Sequence, residues 1–127
     1  MKHTHFTDLC FFENRQINTF LDQIYSAVLE HFDDDNLPKI CGSVAYMLHG
    51  LYSENYIPKD IDLEVDNWEV YRFLKYELPK MFPEFEFVEI KDERLILYTS
   101  EIVIEFWKPI KNHTITDFYK NKIKYTL

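Results

Sequence analysis

The amino-acid sequence predicts an α/β or α+β fold, with a mixed β-sheet and helices packed against it. One observation is that segments whose apolar residues have helical spacing alternate with short strand-like segments along the chain as far as Pro79. A second is that three short strand patterns follow Pro83 without a helix between them. The length of 127 residues and a hydrophobic content of 46% are enough for one domain spanning residues 1–127.

The first elements are predicted from the periods of their apolar residues. From Ile17 to Phe32 the apolar residues recur on one face of a helix. Residues 37–41, which end in the short apolar run Ile40-Cys41, are predicted to form a buried strand entered through Pro38. A helix is then expected from Ser43 to His49, with Gly50 as its C-terminal cap because glycine accepts a left-handed conformation there.

The middle of the chain continues this alternation after a polar loop at residues 51–59. From Asp60 to Val65, acidic and aliphatic residues alternate with a period of two, which is typical of a strand. The pattern then returns to helical spacing, and Asp66 or Asn67 is expected to cap this third helix.

The third helix is predicted to end at Pro79 and Pro83, because proline lacks the backbone donor that continues a helix. The chain beyond is typical of a β-meander, with strands at residues 85–90, 95–98 and 102–107. The residues after the meander are polar, and a short helix is predicted near Asp117 to Ile123.

Composition excludes several classes of function. The net charge of −8 and the pI near 5.0 do not indicate a nucleic-acid partner bound through its phosphates. No run of 18 apolar residues occurs, so no membrane segment is predicted and a cytoplasmic location is expected. Cys10 and Cys41 belong to no metal or redox motif, so neither a disulfide framework nor a structural zinc site is expected.

The chain holds only two glycines, and Gly42 stands where a predicted strand passes into a helix. Glycine at this position permits unusual backbone angles and lets a ligand approach closely. The helix expected from Ser43 offers free N–H groups and a positive dipole end, which together favour a phosphate. Ser43 could cap the helix or donate its hydroxyl to that phosphate. The alternative is an ordinary strand-to-helix turn.

Three acidic residues are the candidate ligands of a cation. Asp60 and Asp62 lie two apart on a predicted strand, so both side chains leave the same face. Their repulsion is costly unless a cation compensates it, and magnesium prefers such oxygen ligands. Glu105 lies between two large hydrophobic residues on a later strand, where a charge is also costly. The alternative is that these acids form the solvent face of edge strands. A calcium-binding EF-hand loop is excluded because Val65 stands where that loop requires glycine.

These features follow one another in a defined order. A Gly-Ser turn opens a helix, Asp-x-Asp follows on a strand, and one acid lies on a later strand. In this order the sequence resembles the DNA polymerase β-like nucleotidyltransferase superfamily. The matching segments are Ile40-Cys41-Gly42-Ser43, Lys59-Asp60-Ile61-Asp62-Leu63 and Ile104-Glu105-Phe106. The resemblance covers residues 38–107, the expected core of a nucleotidyltransferase-like domain.

The resemblance implies a two-metal Mg²⁺ site whose ligands and catalytic residues are Asp60, Asp62 and Glu105. Glu105 would also help to activate the acceptor. The implied enzyme is a nucleotidyltransferase that moves a nucleoside monophosphate from a nucleoside triphosphate, most simply ATP, to an acceptor hydroxyl. Two bound metal ions stabilise the attacking and leaving oxygens of such a displacement.

The resemblance further implies how the nucleotide is bound. Gly42 and Ser43 would contact its β- and γ-phosphates. A positive charge for the triphosphate is expected from Lys59, with Lys91 and Arg94 as other candidates.

An acceptor pocket is the remaining part of the implied enzyme. Many superfamily members carry a helical domain that shapes this pocket, whereas here a short segment follows Trp107. A homodimer mate or a partner protein would then complete it. The alternative function is a non-catalytic nucleotide-binding or protein-interaction module on the same fold, similar to antitoxin-like relatives. A third alternative is an acidic α/β domain without a site.

Overall fold

The computed structural model of the protein describes residues 15–51, 60–100, 102–109, 117–120 and 123–126. Its helices are α1 Arg15–His31, α2 Gly42–Leu48 and α3 Trp68–Met81, with a short 3-10 helix at Asp34–Asn36. Its strands are β1 Lys39–Cys41, β2 Asp60–Glu64, β3 Glu86–Ile90, β4 Arg94–Tyr98, β5 Val103–Trp107, β6 Asp117–Lys120 and β7 Ile123–Thr126. The described elements follow the predicted order as far as the meander of β3, β4 and β5.

The described strands form one seven-stranded mixed sheet in the order β3-β4-β5-β2-β1-β7-β6. The pairs β2–β5 and β1–β7 are parallel, and the other neighbours are antiparallel. Strand β2 therefore lies at the centre of the sheet, with a hydrogen-bonded neighbour on each side. The predicted fold class, a mixed sheet with helices packed against it, is confirmed.

The core is one cluster of apolar side chains contributed by the three helices and by one face of the sheet. On the central strands its members are Ile61 and Leu63 of β2 with Ile104 and Phe106 of β5, all fully buried. Successive residues of a strand point to opposite faces. The residues between these aliphatic and aromatic side chains therefore lie on the face opposite the core.

Helix α1 presents its predicted apolar stripe to this core. Leu21, Ile24 and Val28 are fully buried, and Phe20 and Phe32 pack against the cluster. Since these residues recur every three or four positions, they lie along one side of the helix. None of the described helices combines the length and the apolar character that crossing a membrane requires.

Of the two candidate caps for the third helix, Asn67 is the cap of α3. Its side-chain oxygen accepts a hydrogen bond from the backbone N–H of Val70 at 2.9 Å, and its amide donates to Asn36 Oδ1 at 2.6 Å. Asp66 instead forms an ion pair with the buried Lys39, whose Nζ lies 3.0 Å from Asp66 Oδ1. The start of α3 is thereby tied both to the segment before β1 and to β1 itself.

The end of α2 is closed by Gly50, as predicted. Gly50 has φ of +81°, and its N–H donates to the carbonyl of Met47 at 3.1 Å. The N–H of Leu51 donates to the carbonyl of Tyr46 at 2.9 Å. This pair of bonds is the Schellman arrangement, in which glycine stands just past the capping residue, here His49.

Two predictions about helices are wrong, the first only in part. Helix α3 ends at Met81, two residues before Pro83 as predicted, but it continues past Pro79, whose ring is exposed to solvent in the last turn. The segment near Asp117 to Ile123 contributes instead to β6 and β7, which pair antiparallel. Strand β7 also pairs with β1, and this tertiary pairing outweighs the local preference of the segment.

Candidate functional site

The three predicted acids come together on the face of the sheet opposite the core. Strands β2 and β5 pair in parallel so that Asp62 stands beside Glu105 and Asp60 beside Val103. One carboxylate oxygen of each of the three acids lies within 4.8 Å of those of the other two. Asp60 and Asp62 are two residues apart on β2, whereas Glu105 is distant in sequence, so the pairing of β2 with β5 completes this cluster. We refer to Asp60, Asp62 and Glu105 as the carboxylate triad.

The carboxylate triad has the chemistry to hold a hard divalent cation. Carboxylate oxygens are the ligands that magnesium prefers, and ligands on opposite sides of that ion lie about 4 Å apart. Oxygens already within 4.8 Å of one another reach this spacing by small side-chain rotations. All three residues are half-buried, which leaves coordination positions open to solvent or to substrate oxygens.

The electrostatics of the carboxylate triad also favour the binding of a positive charge. Burial raises the pKa of Asp60, and the neighbouring Asp62 raises it further. Burial is likewise the largest cause that raises the pKa of Glu105, followed by the charge and the hydrogen bond of Asp62. The guanidinium of Arg94 opposes this increase in the pKa of Glu105 but does not cancel it. A bound cation would relieve the same repulsion.

The turn between β1 and α2 lies directly against the carboxylate triad. Gly42 has φ of +67°, and a Cβ atom at this position would stand 3.0 Å from Asp62 Oδ2. The left-handed backbone favours glycine, and a Cβ here would require the Asp62 carboxylate to shift by a few tenths of an ångström. The structure thus places the Gly-Ser turn and the acids in one site.

Ser43 occupies the first turn of α2, which begins at Gly42 rather than at Ser43. The capping position belongs to Cys41, and none of the described side chains makes a capping hydrogen bond to this helix. The cap role considered for Ser43 is therefore wrong. Ser43 is half-buried beside Gly42, and its contact with a phosphate stays a prediction. Lys59 falls in residues 52–59, outside the described part of the chain, and Lys91 is exposed in the β3–β4 turn.

Two further residues bind the carboxylate triad directly. The indole Nε1 of Trp107 donates a hydrogen bond to Asp62 Oδ1 at 3.1 Å. Arg94 Nε lies 2.9 Å from Glu105 Oε1, an ion-pair distance, although its N–H makes no directed hydrogen bond within the described residues. The guanidinium carbon of Arg94 also lies 4.6 Å from the ring centre of Trp107, in a cation–π contact. Arg94 and Trp107 are opposite each other on β4 and β5.

Cys41 stands opposite Asp62 across the β1–β2 pair, on the same face as the carboxylate triad. Burial, followed by the charges of Asp62 and Glu64, raises the pKa of the Cys41 thiol to about 12. In the metal-free protein the thiol is therefore neutral at physiological pH. The carboxylates that lie within 4.8 Å of one another offer oxygen ligands, which favour a hard cation.

Comparison with solved structures identifies the fold. A crystal structure from Thermotoga maritima, described as "a putative nucleotidyltransferase (TM1012)", is similar to this chain with a TM-score of 0.51 and 18% sequence identity. The similarity covers 87% of this chain and 77% of that one. No protein-family model and no curated protein matches the sequence. At this level of identity the comparison shows the fold alone: the chain has a nucleotidyltransferase-type fold, as the resemblance of its motifs predicted.

Proposed function

We propose that the protein is a Mg²⁺-dependent nucleotidyltransferase that moves a nucleoside monophosphate from a nucleoside triphosphate to an acceptor hydroxyl. The observation that carries this proposal is the carboxylate triad, whose oxygens lie within 4.8 Å of one another on the two central strands. The nucleotidyltransferase-type fold supports it. The proposed unit is a single domain over residues 1–127, with its core in residues 38–107.

In this proposal the carboxylate triad holds the metal. Bound Mg²⁺ would neutralise the charge that develops on the phosphoryl oxygens of the nucleotide. Asp60 and Asp62 bind from one strand and Glu105 from its parallel neighbour, so the sheet fixes their relative positions. Glu105 additionally orients the acceptor hydroxyl. Positioning and charge neutralisation are the main requirements of phosphoryl chemistry, so few other residues are needed.

The nucleotide phosphates are proposed to lie over the β1–α2 turn. Gly42 lacks a side chain there, and its backbone lies close to Asp62. Phosphates at this turn would therefore be within reach of a metal ion held by the carboxylate triad. Ser43 and Lys59 are proposed as further phosphate contacts, and ATP as the nucleotide. A homodimer mate or a partner protein is proposed to complete the acceptor pocket.

One observation favours a second function, a nucleotide-binding module without catalysis. Arg94 forms an ion pair with Glu105, the residue proposed to orient the acceptor. If this ion pair persists when nucleotide binds, Glu105 cannot act on the acceptor, and binding without transfer would follow. Both functions require the metal and the nucleotide, so an assay of group transfer distinguishes them.

The experiment compares ATP labelled at the α-phosphate with ATP labelled at the γ-phosphate. Each is incubated with the protein, magnesium and fractionated cell extract containing proteins, RNA or small metabolites. Nucleotidyl transfer predicts that the α-label becomes attached to one fraction while the γ-label leaves as pyrophosphate. Asp62→Asn should abolish this labelling, whereas Asp35→Asn, which removes an exposed acid from the 3-10 helix, should preserve it. Binding of ATP without labelling of any fraction would favour the non-catalytic module.

A further inference from the structure

Arg94 supplies a fixed positive charge beside the carboxylate triad. Its Nε lies 2.9 Å from Glu105 Oε1, and its side chain is 24% exposed, so solvent screens this pair less than it would a surface pair. The second acid that Arg94 contacts, Glu93, has a side chain that is 46% exposed and is therefore well screened. Arg94 also donates a hydrogen bond to Glu93, so its charge acts on Glu93 as well as on the carboxylate triad.

Arg94 packs against Trp107. The guanidinium lies over the indole ring, with its central carbon 4.6 Å from the ring centre. The same indole donates its N–H to Asp62 Oδ1 at 3.1 Å. Trp107 therefore contacts Asp62 at its nitrogen and Arg94 at its ring face, while Arg94 contacts Glu105. Two acids of the carboxylate triad are held by this one pair of side chains.

The formal charge of the site follows from these contacts. Three ionised carboxylates and one guanidinium leave a net charge of −2, which a single divalent cation neutralises. Without Arg94 the same site would carry −3. A cation entering the site is attracted by the acids and repelled by Arg94.

We propose that Arg94 is a positioning residue that holds Glu105 in place and weakens the binding of free divalent cations to the carboxylate triad. The inference rests on the proposed function, since it concerns the same metal site. The consequence is that the cation binds tightly only together with a nucleoside triphosphate, whose own negative charge offsets that of Arg94. Arg94 thus couples occupancy of the metal site to the presence of nucleotide.

The test measures Mn²⁺ binding to the nucleotide-free protein by the loss of the electron paramagnetic resonance signal of free Mn²⁺. Arg94→Gln should bind Mn²⁺ about tenfold more tightly than wild type, the size that Coulomb's law gives for a unit charge about 6 Å from a divalent ion in a water-like dielectric. Arg94→Lys keeps the charge and should stay within about twofold of wild type. Higher salt should reduce the difference between Arg94→Gln and wild type.

The matched control is Arg72→Gln, which makes the same change of charge at an exposed position of α3, on the side of the sheet away from the site. It should leave Mn²⁺ affinity unchanged. A purely structural role of Arg94 predicts that Arg94→Gln and Arg94→Lys both bind Mn²⁺ more weakly, and that result would overturn the inference alone. If wild type and all variants bind no Mn²⁺, the inference fails together with the metal site. If wild type binds Mn²⁺ and Arg94→Gln binds it with the same affinity, only the role of Arg94 is refuted.

Discussion

At the scale of single residues, Asp62 is the centre of the candidate site. Its Oδ1 accepts the indole hydrogen bond of Trp107, and its Oδ2 lies 3.0 Å from the place where a Cβ on residue 42 would stand, a tight contact. Glu105 stands beside it on the parallel strand. Within the described residues Asp60 has fewer such contacts, so a substitution there tests the repulsion between the acids with the least disturbance of packing.

Asp60→Asn should raise the melting temperature of the metal-free protein by about 3 °C at pH 8. Burial and the charge of Asp62 raise the pKa of Asp60, so the folded state favours the protonated form. This stabilising contribution is complete below the ordinary aspartate pKa and is lost as the pH rises through the raised pKa. The amide of asparagine is neutral at every pH, so Asp60→Asn keeps this stabilising contribution at pH 8. Thermal unfolding in EDTA measures the difference.

Asp35→Asn is the control for Asp60→Asn, because Asp35 is an exposed acid on the 3-10 helix. It should leave the melting temperature within about 1 °C of wild type. The gain from Asp60→Asn should also become smaller as the pH is lowered towards the ordinary range of an aspartate. If Asp60→Asn melts below wild type at pH 8, repulsion does not dominate this site.

At the scale of elements, the turn from β1 into α2 is the part of the backbone that the site depends on most directly. Gly42 is held at φ of +67° with the carboxylate of Asp62 against it. Gly50, at the other end of the same helix, has φ of +81° and no atom within 4 Å of the place where a Cβ would be. The two glycines therefore separate the cost of the backbone angle from the cost of the contact.

Gly42→Ala should lower the free energy of unfolding by about 2 kcal/mol, because left-handed strain is added to the collision with Asp62. Gly50→Ala should cost about 1 kcal/mol, from strain alone. Urea unfolding of both variants measures the two losses. Equal losses would show that the contact between the turn and Asp62 contributes nothing, and the proposed closeness of phosphate and metal would lose its support.

The elements near the site could be predicted from the sequence to different degrees. The two-residue spacing of Asp60 and Asp62 places both on one face of any strand, so this pair was predictable without knowledge of the fold. The contacts of Arg94 and Trp107 were not, because they depend on the register between β4 and β5. That register begins with Tyr98 opposite Val103, and a sequence that predicts only a tight turn leaves it undetermined.

The C-terminal strands are a second case in which long-range pairing could not be predicted from the local sequence. The segment near Asp117 to Ile123 is polar and carries no strong period, so its local sequence permitted the prediction of a short helix. Its conformation is decided by β7, whose Tyr125 pairs with Ile40 of β1. Tyr125 is 5% exposed and accepts or donates a hydrogen bond with His49 Nδ1 at 2.8 Å. These are long-range contacts, which a local pattern does not contain.

At the scale of the whole molecule, the two faces of the sheet have different tasks. One face packs against the helices and provides the apolar core. The other face holds the carboxylate triad on β2 and β5. Each of these strands is hydrogen-bonded to a strand on either side, which fixes its backbone. The fold and the order of motifs along the chain were predictable together, because Gly-Ser, Asp-x-Asp and the later acid mark consecutive parts of this architecture.

The most direct test of the proposed metal and nucleotide site is isothermal titration of ATP, CTP, GTP and UTP into the protein, with magnesium and again with EDTA. We expect binding of at least one nucleotide, most simply ATP, that requires magnesium and is lost in Asp62→Asn, while Asp35→Asn binds as wild type does. Nucleotide binding that is equal in EDTA, or that survives Asp62→Asn, would contradict the carboxylate triad as the metal site. Binding of none of the four nucleotides would contradict the proposed function itself.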